Sequence, residues 1–65
     1  MKIKLIMDRN ASTYSKGNIV SKIVRELGSK AAIQGDIITV EDGGYEERKV
    51  LDIFNSERVN YTKSR

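Results

Sequence analysis

The stretch that decides the fold runs from Gly35 to Phe54 and reads GDIITVEDGGYEERKVLDIF. Residues 36–41 are mostly β-branched or apolar, a composition typical of strands. They are followed by Asp42-Gly43-Gly44, residue types that tolerate positive φ and commonly form tight turns. A second apolar run closes the stretch. The pattern predicts a β-hairpin with strands at 36–41 and 45–54 and its turn at 42–44.

Upstream of this stretch, residues 2–7 alternate between polar and apolar side chains. This period of two predicts a half-buried strand with Ile3, Leu5 and Met7 on one face. Residues 8–18 are polar, rich in Asn, Ser and Thr, and include Gly17. They are therefore predicted to form a loop.

Residues 19–27 place apolar side chains at the spacing of one helix face. The pattern predicts an amphipathic helix, with Asn18 as its N-cap and Gly28 as its left-handed C-terminal residue. Four of its five apolar residues are β-branched, which weakens intrinsic helicity. A strand over residues 18–24, preceded by a turn at Gly17, is the second interpretation. The apolar residues are Ile19, Val20, Ile23, Val24 and Leu27.

The rest of the chain is predicted as a connector at 31–34, a turn at 55–57 and a short last strand at 58–62 with Val59 and Tyr61 on one face. The fold class is then α+β, with one domain over residues 1–65 and the order strand, helix, strand, strand, strand in an antiparallel sheet. Consecutive apolar residues, as at Ile37-Ile38, indicate that the strands carry apolar side chains on both faces of the sheet. A small, mostly β barrel and a swapped-hairpin dimer are the alternatives.

A chain of 65 residues buries a modest fraction of its surface and is marginally stable alone. It has no cysteine and no histidine, so disulfides and the usual zinc ligand sets are excluded. We therefore expect a homodimer, with no metal and no cofactor. The apolar residues near the N-terminus are broken by Lys4 and Asp8, which matches neither a signal peptide nor a membrane span. A cytoplasmic location is expected.

The charge is unevenly distributed along the chain. Residues 1–32 carry a net charge of +5 and residues 33–65 a net charge of −2, which together give the chain's +3. A polyanion would meet the first half and the basic C-terminal residues rather than the predicted hairpin turn.

Catalysis is not expected from this composition. Without His or Cys, the common proton shuttle and the strongest nucleophile are both missing. Glu46 and Glu47 would point to opposite faces of a strand and so would not share a substrate or a metal ion. The chain is therefore predicted not to be an enzyme.

The segment 9–18 is the strongest functional candidate, because it combines basic groups, hydroxyls, Tyr14 and Gly17 just before the predicted helix. A phosphate could bind at that helix N-terminus beside Lys16. Tyr14 or Tyr61 would stack on bases. The candidate nucleic-acid-binding residues are Lys2, Lys4, Arg9, Tyr14, Lys16, Lys22, Arg25, Arg58, Tyr61 and Lys63.

Two resemblances accompany this pattern. Residues 35–41, with Tyr45 and the closing Ile53-Phe54, resemble the C-terminal hairpin of OB-fold proteins of the bacterial translation initiation factor one type. That resemblance implies a small RNA-binding barrel acting on the ribosome. The order of residues 16–20, 23–28 and 35–36 is similar to that of the AbrB and MazE swapped-hairpin DNA-binding domains. This one implies an interlocked homodimer whose basic face binds DNA.

The sequence thus predicts a small nucleic-acid-binding or regulatory protein whose basic N-terminal half contacts phosphate, with DNA and RNA both open as ligands. The competing interpretation is a protein-binding inhibitor or antitoxin-like module. Such a module would use an exposed sheet edge or the apolar residues Ile6 and Phe54.

Overall fold

The computed structural model describes residues 1–64. A four-stranded antiparallel sheet forms one layer. Its strands are β1 (Lys2–Met7), β2 (Ala32–Gln34), β3 (Ile37–Glu41) and β4 (Tyr61–Ser64). They lie in the order β2-β3-β1-β4, so that β1 pairs with both β3 and β4, whereas β2 and β4 lie at the two edges.

Two helices form the second layer. They are α1 (Thr13–Leu27), which runs into a single 3₁₀ turn at Gly28–Lys30, and α2 (Tyr45–Glu57). The order β-α-β-β-α-β is that of the ferredoxin-like, or split βαβ, arrangement. The α+β class and the antiparallel sheet are confirmed. The predicted order of strand, helix, strand, strand, strand is also present, with α2 added before the last strand.

The core lies between the sheet and the helices. β1 alternates as predicted, so that Ile3, Leu5 and Met7 are buried while Lys2, Lys4 and Ile6 point to the other side. Residues paired across neighbouring strands point to the same side of the sheet, so every strand has one set of side chains facing the helices and one set facing away from them. The helices and β3 complete the core with Ile19, Ile23, Leu27, Ile38, Val40, Val50, Ile53 and Phe54.

The predicted second hairpin strand at 45–54 is wrong, because these residues belong to α2. Its buried residues are Glu47, Val50, Ile53 and Phe54, which follow the three- and four-residue spacing of one helix face. The segment 42–44 therefore leads into a helix, with Gly44 as its N-cap, instead of turning a hairpin. The predicted turn at 55–57 is likewise wrong, since α2 continues to Glu57.

Helix α1 begins earlier than predicted. Its N-cap is Ser12, whose side chain accepts a hydrogen bond from the N–H of Ser15. The loop assigned to 8–18 is therefore confirmed only up to residue 12, and the cap assigned to Asn18 is wrong. The helix over 19–27 and its end at Gly28 are confirmed, and the strand interpretation of 18–24 is excluded. Val24, placed on the predicted apolar face, is 55% exposed.

A hairpin does exist, but it precedes the predicted one. Residues 31–34, assigned to a connector, contain β2, which pairs with β3 across the two-residue turn Gly35-Asp36. Gly35 has a φ of 61°, and a positive φ at the first central position is what a type II′ turn requires. The predicted last strand at 58–62 is shifted to 61–64, although Val59 and Tyr61 do pack on the core as expected.

We predict that Gly17→Ala will stabilise the protein by about 0.5–1 kcal/mol, because Gly17 lies inside α1 and a Cβ there would meet nothing within 4 Å. Gly28→Ala is the matched control. Gly28 has a φ of 56°, so a side chain there should destabilise by about 1–3 kcal/mol. Urea unfolding of both variants is the measurement. A loss of stability in Gly17→Ala would contradict the helix start at Thr13.

Candidate functional site

The side of the sheet that faces away from the helices is the candidate site. We call it the open face. Its strand positions are those opposite the buried ones, paired across the sheet as Lys2 with Glu41, Lys4 with Thr39, and Ile6 with Ile37. The full set is Lys2, Lys4, Ile6, Ala32, Gln34, Ile37, Thr39, Glu41, Thr62 and Ser64.

The open face has an apolar centre with a polar surround. Ile6 and Ile37 lie directly opposite each other and are each half-buried. Thr62 lies on the other side of Ile6, and Lys4 lies between Thr39 and Ser64. Hydroxyl groups and a lysine therefore flank a small hydrophobic strip, and no aromatic side chain occupies a strand position on this face.

Positive charge exceeds negative charge on the open face. Of the chain's nine acidic residues, only Glu41 occupies one of its strand positions. Glu41 is shared between the Lys2 ammonium at 3.6 Å and the N-terminal amine at 3.7 Å. Within residues 1–64, Lys4 forms no ion pair.

The segment 9–18 lies at one end of the sheet, and its side chains Ser12 and Lys16 already form contacts within the protein. The Oγ of Ser12 accepts from the Ser15 N–H at 3.0 Å and so caps α1. The Nζ of Lys16 lies 3.1 Å from the Asp36 carboxylate and donates to the Arg9 carbonyl oxygen at 3.5 Å. The predicted phosphate position therefore has its lysine bound to a carboxylate, and phosphate binding there stays a prediction.

The remaining candidates lie on other parts of the surface. Lys22 on α1 binds Glu57 on α2 at 2.8 Å, and this hydrogen bond lowers the pKa of Glu57. Arg25 lines a groove of about 300 Å³ between the two helices, while Arg58 follows the end of α2. The ten predicted residues thus do not form one surface, and the structure groups only Lys2 and Lys4 on the open face.

The two candidate tyrosines have different surroundings. Tyr14 on α1 is 79% exposed, on the helix layer. The ring of Tyr61 packs against Phe54 with 5.2 Å between the ring centroids. Phe54 itself is fully buried, which removes it from the surface expected for a protein-binding module. Ile6, the other apolar residue expected there, does lie on the open face.

The burial of Glu47 was not expected from the sequence. The sequence interpretation placed it on a strand, with Glu46 and Glu47 on opposite faces, whereas it is 8% exposed in the first turn of α2. Its carboxylate accepts from the Gly43 N–H at 2.6 Å and pairs with Lys63 of β4 at 3.1 Å. The Gly43 N–H and then Lys63 hold the pKa of Glu47 below its usual value. In a capping box, a glutamate three residues after the N-cap accepts from the N–H of the N-cap residue. Glu47 has this spacing from Gly44 but reaches one residue further back, to the Gly43 N–H.

A second groove runs beside the edge strand β4, with a volume of about 400 Å³. We call it the β4 groove. It lies between β4 and α2, and the side chains that line it are Glu47, Arg48, Leu51, Asp52, Asn55 and Tyr61.

Comparisons of the chain with protein-family models, curated proteins and solved structures found no match. The two resemblances drawn from the sequence therefore stay predictions. Residues 1–64 contain no group of three His, Cys, Asp or Glu side chains able to hold a metal ion. Neither helix in this range has the length and apolar character needed to cross a membrane.

We predict that Glu47→Gln will lower the melting temperature at pH 7. The pKa of Glu47 is lowered in the folded state, so its contribution is present above the ordinary value of about 4.5 and is lost as the pH falls through the folded-state pKa. The difference between wild type and variant should therefore shrink as the pH is lowered below 4.5. Thermal unfolding across this pH range is the measurement.

Asp52→Asn is the control, because Asp52 is an exposed carboxylate on the same helix. It should change the melting temperature little at pH 7. A Glu47→Gln variant as stable as wild type at neutral pH would show that the Gly43 and Lys63 contacts do not support the fold.

Proposed function

We propose that this protein is a non-enzymatic nucleic-acid-binding module that contacts a single strand with its open face. The observation that carries the proposal is the distribution of carboxylates. Both helices pack against one face of the sheet, so the other face is uncovered. Of the nine acidic residues, only Glu41 occupies a strand position on that uncovered face. A phosphate chain approaching this face meets lysines and hydroxyl groups.

Lys2 and Lys4 are the proposed phosphate contacts. They are two residues apart on one strand, which places them on the same face about 7 Å from each other along β1. Thr39, Thr62 and Ser64 are the hydroxyl donors near Lys4 and Ile6. These contacts fix a backbone without reading its sequence.

The open face favours charge over base stacking as the source of affinity. Sheet-based RNA-binding modules stack bases on aromatic side chains, and this face offers Ile6 and Ile37 instead. Tyr61 is not part of the open face, because it pairs with the buried Met7 and its ring packs against Phe54. Binding should therefore depend strongly on salt and weakly on base identity.

A regulatory role, a homodimer and a cytoplasmic location belong to the same proposal. The protein-binding alternative is favoured by one feature, the exposed edge strand β4, since edge strands can add an extended peptide. Binding of single-stranded nucleic acid through the open face separates the two functions.

We predict that the double variant Lys2→Gln/Lys4→Gln will weaken binding of a labelled single-stranded RNA of mixed sequence. Each lost phosphate contact should lower the slope of log K against log salt by about 0.7–1. Fluorescence anisotropy over a range of salt concentrations is the measurement, repeated with single-stranded DNA and with a duplex. Those arms identify the preferred nucleic acid.

The double variant Arg25→Gln/Lys30→Gln is the control. It removes the same charge from the helix layer and the 3₁₀ turn after α1. The proposal expects it to reduce the salt slope less than Lys2→Gln/Lys4→Gln does. It is overturned if both variants weaken binding equally, or if wild type binds none of the probes at low salt.

A further inference from the structure

We propose that Glu41 limits the affinity of the open face for a single strand, because its carboxylate holds Lys2 and a phosphate must displace it to reach that lysine. This role rests on the proposed function and adds to it a residue that sets the affinity of the same site. Lys4 is then the first phosphate contact, and Lys2 is the second.

The backbone fixes the position of Glu41 beside Lys2. Glu41 is the last residue of β3 and pairs across the sheet with Lys2, the first residue of β1. The Cβ atoms of two residues paired in this way lie about 4.5–5.5 Å apart on the same face. One residue further on, the Asp42 N–H donates to the Met1 carbonyl oxygen at 2.8 Å. The two chains thus stay paired beyond Glu41, and its side chain is kept next to Lys2.

The carboxylate of Glu41 contacts two cations. Its Oε2 lies 3.6 Å from the Nζ of Lys2, and its Oε1 lies 3.7 Å from the N-terminal amine. Lys2 therefore has an anionic partner before any ligand arrives. A phosphate that binds Lys2 has to replace this carboxylate as the partner of the ammonium group.

Lys4 has different neighbours on the same face. It is paired with Thr39 of β3 on one side and with Ser64 of β4 on the other. A hydroxyl group can accept a hydrogen bond from an ammonium group, but it carries no charge to neutralise it. On β3, Lys2 thus faces a carboxylate while Lys4 faces a hydroxyl. Glu41 should therefore act on Lys2 and spare Lys4.

The pair between Lys2 and Glu41 is exposed enough to open. The side chain of Lys2 is 65% exposed and that of Glu41 is 52% exposed. Ion pairs in such solvated positions contribute little to stability and are weakened further by salt. A phosphate can therefore break this pair without disturbing the sheet. The loss of an exposed ion pair corresponds to about a two- to fivefold change in affinity.

The first test is the variant Glu41→Gln, which has nearly the same size and lacks the charge. We expect it to bind a labelled single-stranded RNA of mixed sequence about two- to fivefold more tightly than wild type at low salt. The gain should shrink as salt is added, because the charges are then screened. Fluorescence anisotropy measures the affinity, and circular dichroism verifies that the variant is folded.

Asp52→Asn is the matched control. It removes one negative charge from an exposed position on α2, in the helix layer. It should strengthen binding less than Glu41→Gln does, because the effect of a charge falls with its distance from the ligand.

A double-variant cycle shows whether Glu41 acts through Lys2. The substitution Glu41→Gln is introduced into Lys2→Gln and, separately, into Lys4→Gln. The gain should fall below about twofold in the Lys2→Gln background and stay at about two- to fivefold in the Lys4→Gln background. Both backgrounds lack one cation of the open face, so a general loss of affinity does not produce this difference.

The outcomes separate the role of Glu41 from the proposed function. Equal gains in the two backgrounds, or a gain in Asp52→Asn as large as that in Glu41→Gln, would overturn the role of Glu41. If wild type binds the RNA and Glu41→Gln binds no more tightly, the role of Glu41 fails and nucleic-acid binding stands. If neither protein binds at low salt, both fail.

Discussion

The alternation of β1 is the constraint on which the rest of the structure depends. This strand has a neighbour on both sides, so its two faces set the faces of the whole sheet. A slip of one residue would move Ile3, Leu5 and Met7 from the core to solvent and carry Lys2 and Lys4 inward. The same period of two that buries the core therefore also creates the open face with its lysines.

Local periodicity explains which elements the sequence predicted. The strand at 2–7 and the helix at 19–27 follow a single clear period, and Gly28 supplies the helix end. The second helix was missed because Val50-Leu51 and Ile53-Phe54 are adjacent pairs that suit a buried strand as well as a helix. Glu47 completes the helical face, but a carboxylate at a buried position does not count as apolar, so the period was hidden.

The carboxylate of Glu47 can be buried because it has two partners, a nearby backbone N–H and a lysine from a distant part of the chain. Gly43 supplies an N–H that has no helical partner, and Lys63 supplies a charge from the last strand. Glu47 thereby links the start of α2 to β4. A buried carboxylate with two such donors is stabilised as an anion, whereas the same residue alone would be costly to bury.

The candidate site was predicted only in part for a similar reason. Lys2 and Lys4 could be assigned to one face from the strand period alone. Lys22 and Glu57 are thirty-five residues apart, so their pairing depends on how α1 packs against α2 and is invisible in the sequence. Counting basic residues in the first half of the chain therefore overestimated the charge available to a ligand.

The electrostatic potential at the open face depends on how far each charged side chain lies from it, as well as on how many charges the chain carries. Charges separated by more than about 8 Å are largely screened at physiological salt. The molecule measures 19 Å along its shortest axis, so carboxylates on the outer side of the helices lie beyond that range from the open face. The charge at the open face is then set locally by Lys2, Lys4 and Glu41, and not by the net charge of the chain. Ion pairs such as Lys22–Glu57 further reduce the influence of the helix layer on the open face, because they neutralise charge within that layer.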